Sequence, residues 1–256
     1  MRHISKLASA LAAIALIVAA AAPAKAEGIF DLWKKNIPAA GAQTPPAAPP
    51  ETPEPPAVPA PGYNSASGDF DFYVFSLSWS SGFCDNGGQQ KAGAQCRTGA
   101  GLGFVVHGLW PQYTHGFPQN CGPDGRSPSR AALESVADLY PDVGLARYEW
   151  RKHGTCSGKS PEGYFADVRR AAQSLSIPEN FKHPTEAQQL DPRDIARAFI
   201  AQNRGLRADM MAVGCQRGAL QEVRVCYSKD MRGFTSCPDV ARGSCRTQSI
   251  SVAPVR

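Results

Sequence analysis

The sequence predicts an α+β domain over residues 70–256. Three observations carry this: segments with strand chemistry, segments with helical spacing and capping residues, and no regular alternation between the two. FDFYVFSLSW (70–79) is rich in aromatic and β-branched residues, as a strand should be. GFVVHGLW (103–110) and LQEVRVCYS (220–228) have the same character. Residues 129–139 have helical spacing. Ser160-Pro161-Glu162 places a cap and an N1 proline ahead of a helix expected to run to about Leu175. Asp191-Pro192-Arg193-Asp194 opens another, expected to end near Asn203. No internal repeat is visible, and residues 70–256 suffice for one well-filled core.

Residues 1–26 read as a secretory signal peptide. Arg2, His3 and Lys6 make a basic start, Leu7 to Ala22 is almost wholly apolar, and Ala24-Lys25-Ala26 offers a small-x-small cleavage pattern. A membrane anchor fits this short, alanine-rich core with Pro23 less well. No later stretch is apolar enough to cross a bilayer, so no membrane span is expected. The mature protein is expected to be exported, to the periplasm or the medium, and monomeric. Its eight cysteines, 84, 96, 121, 156, 215, 226, 237 and 245, then point to disulfides, with a connectivity that spacing leaves open. No pair has CxxC spacing, which argues against a zinc ribbon. The formal charge of +5 shrinks once Arg2, Lys6 and Lys25 leave with the leader. The small surplus that remains permits a polyanionic partner without arguing for one.

Residues 27–69 divide the leader from the domain. IFDLWKKNI (29–37) is a short amphipathic segment, read here as a tail whose function is not legible. Gln43 to Pro61 contains nine prolines in nineteen residues, an extended spacer that cannot pack a core.

Two segments carry candidate chemistry. RYEWRKHGT (147–155), set on a helix at about 100° per residue, puts Tyr148, Lys152, Glu149 and His153 on one face. Glu149 and His153 stand at i,i+4, within side-chain reach, while Trp150 can anchor the helix to the core. By itself this is equally a solvated charged face. FVVHGLWPQ (104–112) places His107 where a buried strand gives way to Gly108, which by itself suits a core histidine satisfied by a carbonyl as well as a rigidly held catalytic one. Together, two fixed histidines with a carboxylate and an ammonium beside them suggest paired acid–base catalysis. That set suits attack by a ribose 2′-OH on its neighbouring phosphate, a reaction needing no metal and closed to DNA.

FVVHGLWPQ and YEWRKHGTC resemble the two active-site segments of the ribonuclease T2 (acid ribonuclease) family. FDFYVFSLSWSSGFC is similar to the family's opening strand and first cysteine, and EVRVCYSKD with the later Cys-Pro and final cysteine resembles its C-terminal disulfide region. The resemblance spans about Phe70 to Cys245. It implies a disulfide-braced α+β fold with helices packed on a central antiparallel sheet, secretion, and cofactor-free, metal-independent cleavage of single-stranded RNA with little base preference. His107 would be the general acid of the first step and His153 the general base, assisted by Glu149 and Lys152. Trp110 matches a residue of the family's base pocket. The implied disulfides are Cys84–Cys96, Cys121–Cys156, Cys215–Cys245 and Cys226–Cys237. One departure stands out: many members carry a third, phosphate-binding histidine where this chain has Tyr148, so a weaker and less pH-sensitive phosphate contact is expected here.

His115 and His183 match no motif; His115 lies in a loop near the expected pocket and His183 is expected at the surface. Three rivals stand beside the ribonuclease reading. A cyclic phosphodiesterase with His-x-Thr/Ser pairs matches His153-Gly154-Thr155 but not His107-Gly108-Leu109. A non-catalytic exported RNA-binding protein on the same scaffold would have no need of the four acid–base residues. A metallohydrolase would call for an HExxH or His/Asp cluster that the sequence lacks.

Overall fold

The computed structural model describes residues 66–122 and 127–256. The expected signal peptide and almost all of the segment and spacer at 27–69 lie outside the described residues. The packed chain starts a little before Phe70. Ser67 Oγ donates to the Thr155 carbonyl at 2.6 Å, and the Gly68 amide donates to the Cys156 carbonyl at 2.9 Å.

Among the described residues the strands are β1 (Phe72–Trp79), β2 (Phe104–Gln112), β3 (Gln188–Leu190), β4 (Met211–Gln216), β5 (Ala219–Ser228) and β6 (Ile250–Val252). They form one sheet in the order β2-β1-β5-β6-β3, with β4 also paired to β5. All pairings are antiparallel except a single parallel bridge of β5 to β6 at Ala219 and Ser251. The helices are α1 (Ser80–Asp85), α2 (Arg130–Glu134), α3 (Val143–Lys152), α4 (Pro161–Ser174), α5 (Pro192–Gln202) and α6 (Pro238–Arg242). This is the α+β architecture expected, with a nearly antiparallel sheet.

β1 is flanked by β2 and β5 and is buried along its whole length, hence its largely apolar character, broken only at Ser76 and Ser78. Its two faces do different work. Tyr73, Phe75, Leu77 and Trp79 join the main core with Leu109, Val223, Val225 and residues of α4 and α5. Phe72 and Val74 join a smaller cluster with Cys226 and Cys237 on the opposite face. By the two-residue period of a strand, Ser76 and Ser78 share that second face, and across β1 it also carries Gly108, Glu222 and Arg224.

The helix expected over 129–139 is shorter. Ser129 caps α2 by accepting from the Ala132 amide at 3.0 Å, but helix ends at Glu134 and turns follow. The Ser135 hydroxyl bonds back to the Ala132 carbonyl at 2.7 Å, and its own carbonyl accepts from Arg169 Nε at 2.8 Å, so its groups leave the helical ladder. α4 and α5 start where expected, with Ser160 and Asp191 as caps ahead of Pro161 and Pro192. Four disulfides join Cys84 to Cys96, Cys121 to Cys156, Cys215 to Cys245 and Cys226 to Cys237, the pairs that the family resemblance implies.

Candidate active site

β2 positions His107 by a break in its own register. Gly108 faces Ser76 and Val106 faces Leu77, which leaves His107 between them with no cross-strand partner. A bulge of this kind re-aims a side chain without unpairing the strand around it. Underneath, Tyr164 of α4 donates its hydroxyl hydrogen bond to the Leu109 carbonyl at 2.9 Å and ties β2 to the core.

α3 supplies the facing wall. Asp142 caps it, accepting from the Leu145 amide at 3.0 Å, so the helix begins at Val143, four residues before the RYEWRKHGT segment. It ends at Lys152, and His153 is the C-cap, with φ −119°, ψ −45° and its amide still donating to the Glu149 carbonyl at 2.9 Å. The Lys152 carbonyl accepts from the Asn120 amide at 2.8 Å, and Cys156 in the next turn is bonded to Cys121. The catalytic-candidate end of α3 is thereby fastened to the loop that follows β2. A Cβ on Gly154 would collide with the Trp150 ring, so only glycine lets this turn close over the buried tryptophan.

The six residues singled out in the sequence, His107, Trp110, Tyr148, Glu149, Lys152 and His153, line one cleft of about 290 Å³. Trp110 sits between the two histidines, with ring centroids 5.2 Å from His107 and 5.4 Å from His153. The Trp110 indole N–H donates to Glu149 Oε2 at 2.7 Å. Glu149 is buried, at 1% side-chain exposure, and its Oε1 lies 4.0 Å from His107 Nε2. Its carboxylate thus reaches across to β2 rather than along the helix to His153, the i,i+4 relation expected from the sequence. A buried carboxylate needs a donor, which Trp110 supplies. A Cβ on Gly108 would collide with both Glu149 Oε2 and Trp110 Nε1, so the glycine of HGLW is the space through which that bond passes.

The structure adds residues that sequence reasoning missed. Glu222 on β5 places Oε2 3.9 Å from His107 Nδ1, accepts from Ser76 Oγ at 2.9 Å, and pairs through Oε1 with Arg224 Nη2 at 2.6 Å. The Arg224 guanidinium carbon lies 5.3 Å from the Trp110 ring centroid. The signal was present in LQEVRVCYS: Glu222 and Arg224, two apart in a strand, must share a face, though nothing local says which. His115 lies elsewhere, largely exposed, with Nδ1 2.6 Å from Asp239 Oδ2, and His183 is exposed as expected.

The family model described as "Ribonuclease T2 family" matches residues 70–237. The chain belongs to the ribonuclease T2 family. Among its relatives, "Ribonuclease" of Aeromonas hydrophila is 33% identical over 196 residues, covering 70% of this chain and 85% of the relative. "Ribonuclease DdI" of Dictyostelium discoideum is 29% identical over 201 residues, 71% of this chain and 84% of the relative. Among solved structures, RNase NT in complex with 5′-AMP superposes with a TM-score of 0.59 at 25% identity, covering 73% of this chain and 99% of that one. As a ribonuclease T2 family member the chain is an enzyme, an endoribonuclease.

In this family member the two histidines have opposite electrostatic settings. His107 lies between the carboxylates of Glu149 and Glu222. His153 is buried, and burial first, then the nearby Lys152 and His107 charges, depress its pKa to about 3. Its Nδ1 is buried with no hydrogen-bond partner. Burial raises the pKa of Glu149, partly offset by His107, Trp110 and Lys152. Burial would raise that of Glu222 too, but His107, Arg224 and Ser76 outweigh it and hold the carboxyl at about 2. Among the described residues no group of three or more His, Cys, Asp or Glu side chains could hold a metal ion.

Proposed function

We propose that this endoribonuclease cleaves single-stranded RNA with little base preference, by metal-independent transphosphorylation to 2′,3′-cyclic phosphate ends. The observation that carries the reading is the pair of histidines across Trp110, one flanked by carboxylates and one buried, neutral and beside an ammonium. Neutral His153 takes the proton of the ribose 2′-OH. The freed oxygen attacks phosphorus, and protonated His107 gives its proton to the departing 5′-oxygen. Lys152 offsets the negative charge that grows on the phosphoryl oxygens, and Glu149 orients His107 and holds Trp110. Trp110 and Tyr148 contact the substrate, the tryptophan as a stacking surface that tolerates any base. DNA, lacking the attacking hydroxyl, is not cleaved.

The rival with paired His-x-Thr motifs consumes cyclic phosphates instead of producing them. Thr155 argues against it, since its hydroxyl already donates to the Arg151 carbonyl at 2.9 Å. The leader at 1–26, the spacer at 27–69 and a disulfide-braced catalytic domain at 70–256 suit an exported monomer, in the periplasm or medium. Among the described residues no helix is long and apolar enough to cross a membrane.

The test is RNA digestion by the purified protein with and without EDTA, beside His107→Ala and His153→Ala. Expected are EDTA-resistant cleavage through cyclic phosphates and a loss of roughly 10²–10⁴-fold in each variant. Activity like wild type in either variant, or none in EDTA, overturns the mechanism.

A further inference from the structure

Two clefts meet at this site. Beyond the one lined by both histidines, a second of about 750 Å³ extends past His107 toward Gln95, Asn86 and Gln221. His107, Tyr148 and Arg224 line both. An RNA strand occupying the two clefts must pass these three side chains. The phosphate joining its two nucleosides must lie there too, within reach of the imidazole that protonates its leaving oxygen.

Of the three, only Arg224 carries a permanent charge. Its position is over-determined: Glu222 Oε1 holds Nη2 at 2.6 Å, Ser76 Oγ holds Glu222 at 2.9 Å, and the Trp110 ring lies 5.3 Å from the guanidinium carbon. Its donors are not used up. Nε is buried with no hydrogen-bond partner, and the side chain remains 41% exposed to the clefts it lines. A guanidinium has five N–H donors and Glu222 engages this one at Nη2, so donors remain on the exposed side chain for an arriving phosphate oxygen.

We propose that Arg224 binds the scissile phosphate, supplying the positive charge that Tyr148 does not. The proposal rests on the ribonuclease reading above. Arginine stays charged throughout the range in which a histidine would titrate, so phosphate binding here persists at pH values where a histidine contact would fade. Glu222 keeps the guanidinium in place and faces His107 at the same time, which couples the phosphate clamp to the general acid.

Arg224→Gln, Arg224→Lys and the double variant Glu222→Gln/Arg224→Gln are compared with wild type for kcat and KM on single-stranded RNA across salt concentrations, with circular dichroism to check folding. Arg224→Gln is expected to lower kcat/KM about tenfold or more, and Arg224→Lys to recover part of that loss. The double variant, which leaves no unpaired carboxylate, is expected to stay low. The slope of log KM against log salt is expected to become shallower by about 0.7, as for one lost phosphate contact on a single strand. Arg224→Gln within about twofold of wild type overturns the proposal. So does a loss with an unchanged salt slope and no recovery in Arg224→Lys, which would make Arg224 a prop for Trp110 and Glu222. His107→Ala and His153→Ala run in the same assay: if they retain activity the mechanism falls, and if they are inactive while Arg224→Gln is normal, only this inference falls.

Discussion

His153 is shifted far from its behaviour in free solution, by burial first and then by the nearby Lys152 and His107 charges. With its folded-state pKa near 3, it is already a free base in acidic solution. The acid limb of kcat/KM, which reports the free enzyme, is therefore expected near pH 3 rather than near the ordinary imidazole value of about 6.5. A limb at the ordinary value would show that burial does not depress His153 in the free enzyme, leaving its role as base to the His153→Ala test. Stability has the same sign. The unfolded chain binds more protons at this residue below its ordinary pKa, so the contribution is full above about 6.5 and is lost as pH falls toward 3. His153→Gln is expected to flatten thermal stability against pH across that window. Gly108 offers a second test, since any Cβ there strikes both partners of the Trp110–Glu149 bond. Gly108→Ala is expected to lower kcat on the order of 10²-fold through misplacement of the acid–base groups, with far-ultraviolet circular dichroism preserved.

At the scale of elements, the site depends on two departures from regularity and one brace. The bulge in β2 turns His107 out of the ladder, and the early end of α3 sets His153 at its C-cap. The Cys121–Cys156 bond joins the stretch after the first to the stretch after the second. Replacing both cysteines by serine is expected to cost ~2–4 kcal/mol in stability and to lower kcat as well, because the end of α3 is no longer held against the loop after β2. Replacing Cys215 and Cys245, which brace β4 to the C-terminal segment, is expected to cost comparable stability with kcat retained. Denaturant unfolding and steady-state kinetics on the two double variants separate these outcomes.

For the whole molecule, one sheet serves two purposes. One face of β1 carries the large apolar core, and the other carries a polar row that ends at the cleft. The proposed catalytic groups therefore come from β2 and from α3 with its C-cap, and their charged neighbours from β5, all on a scaffold held by four disulfides. Among the described residues, the cleft is lined from His107 to Arg224, well after the spacer in sequence. A chain lacking residues 27–65 is expected to cleave RNA with unchanged kcat/KM, measured beside the full mature chain. A drop would give the spacer a part in the reaction.

The sequence by itself determined the α+β class, the helices opened by Ser160-Pro161 and Asp191-Pro192, and six of the cleft residues. Each of these is written locally, in a two-residue period, a cap, or a histidine set among charged neighbours. The short strands β3, β4 and β6 were not legible, because three to six residues hold too few periods to distinguish them from loop. Asp142 as the true start of α3 was also missed, for want of a strong apolar stripe behind it. Only the tertiary structure decided that Glu149 turns to Trp110, that His107 is the unpaired residue of a bulge, and that Glu222 and Arg224 stand beside it. Those facts depend on which strands become neighbours and in what register, and no local pattern encodes a partner 39 or 146 residues away.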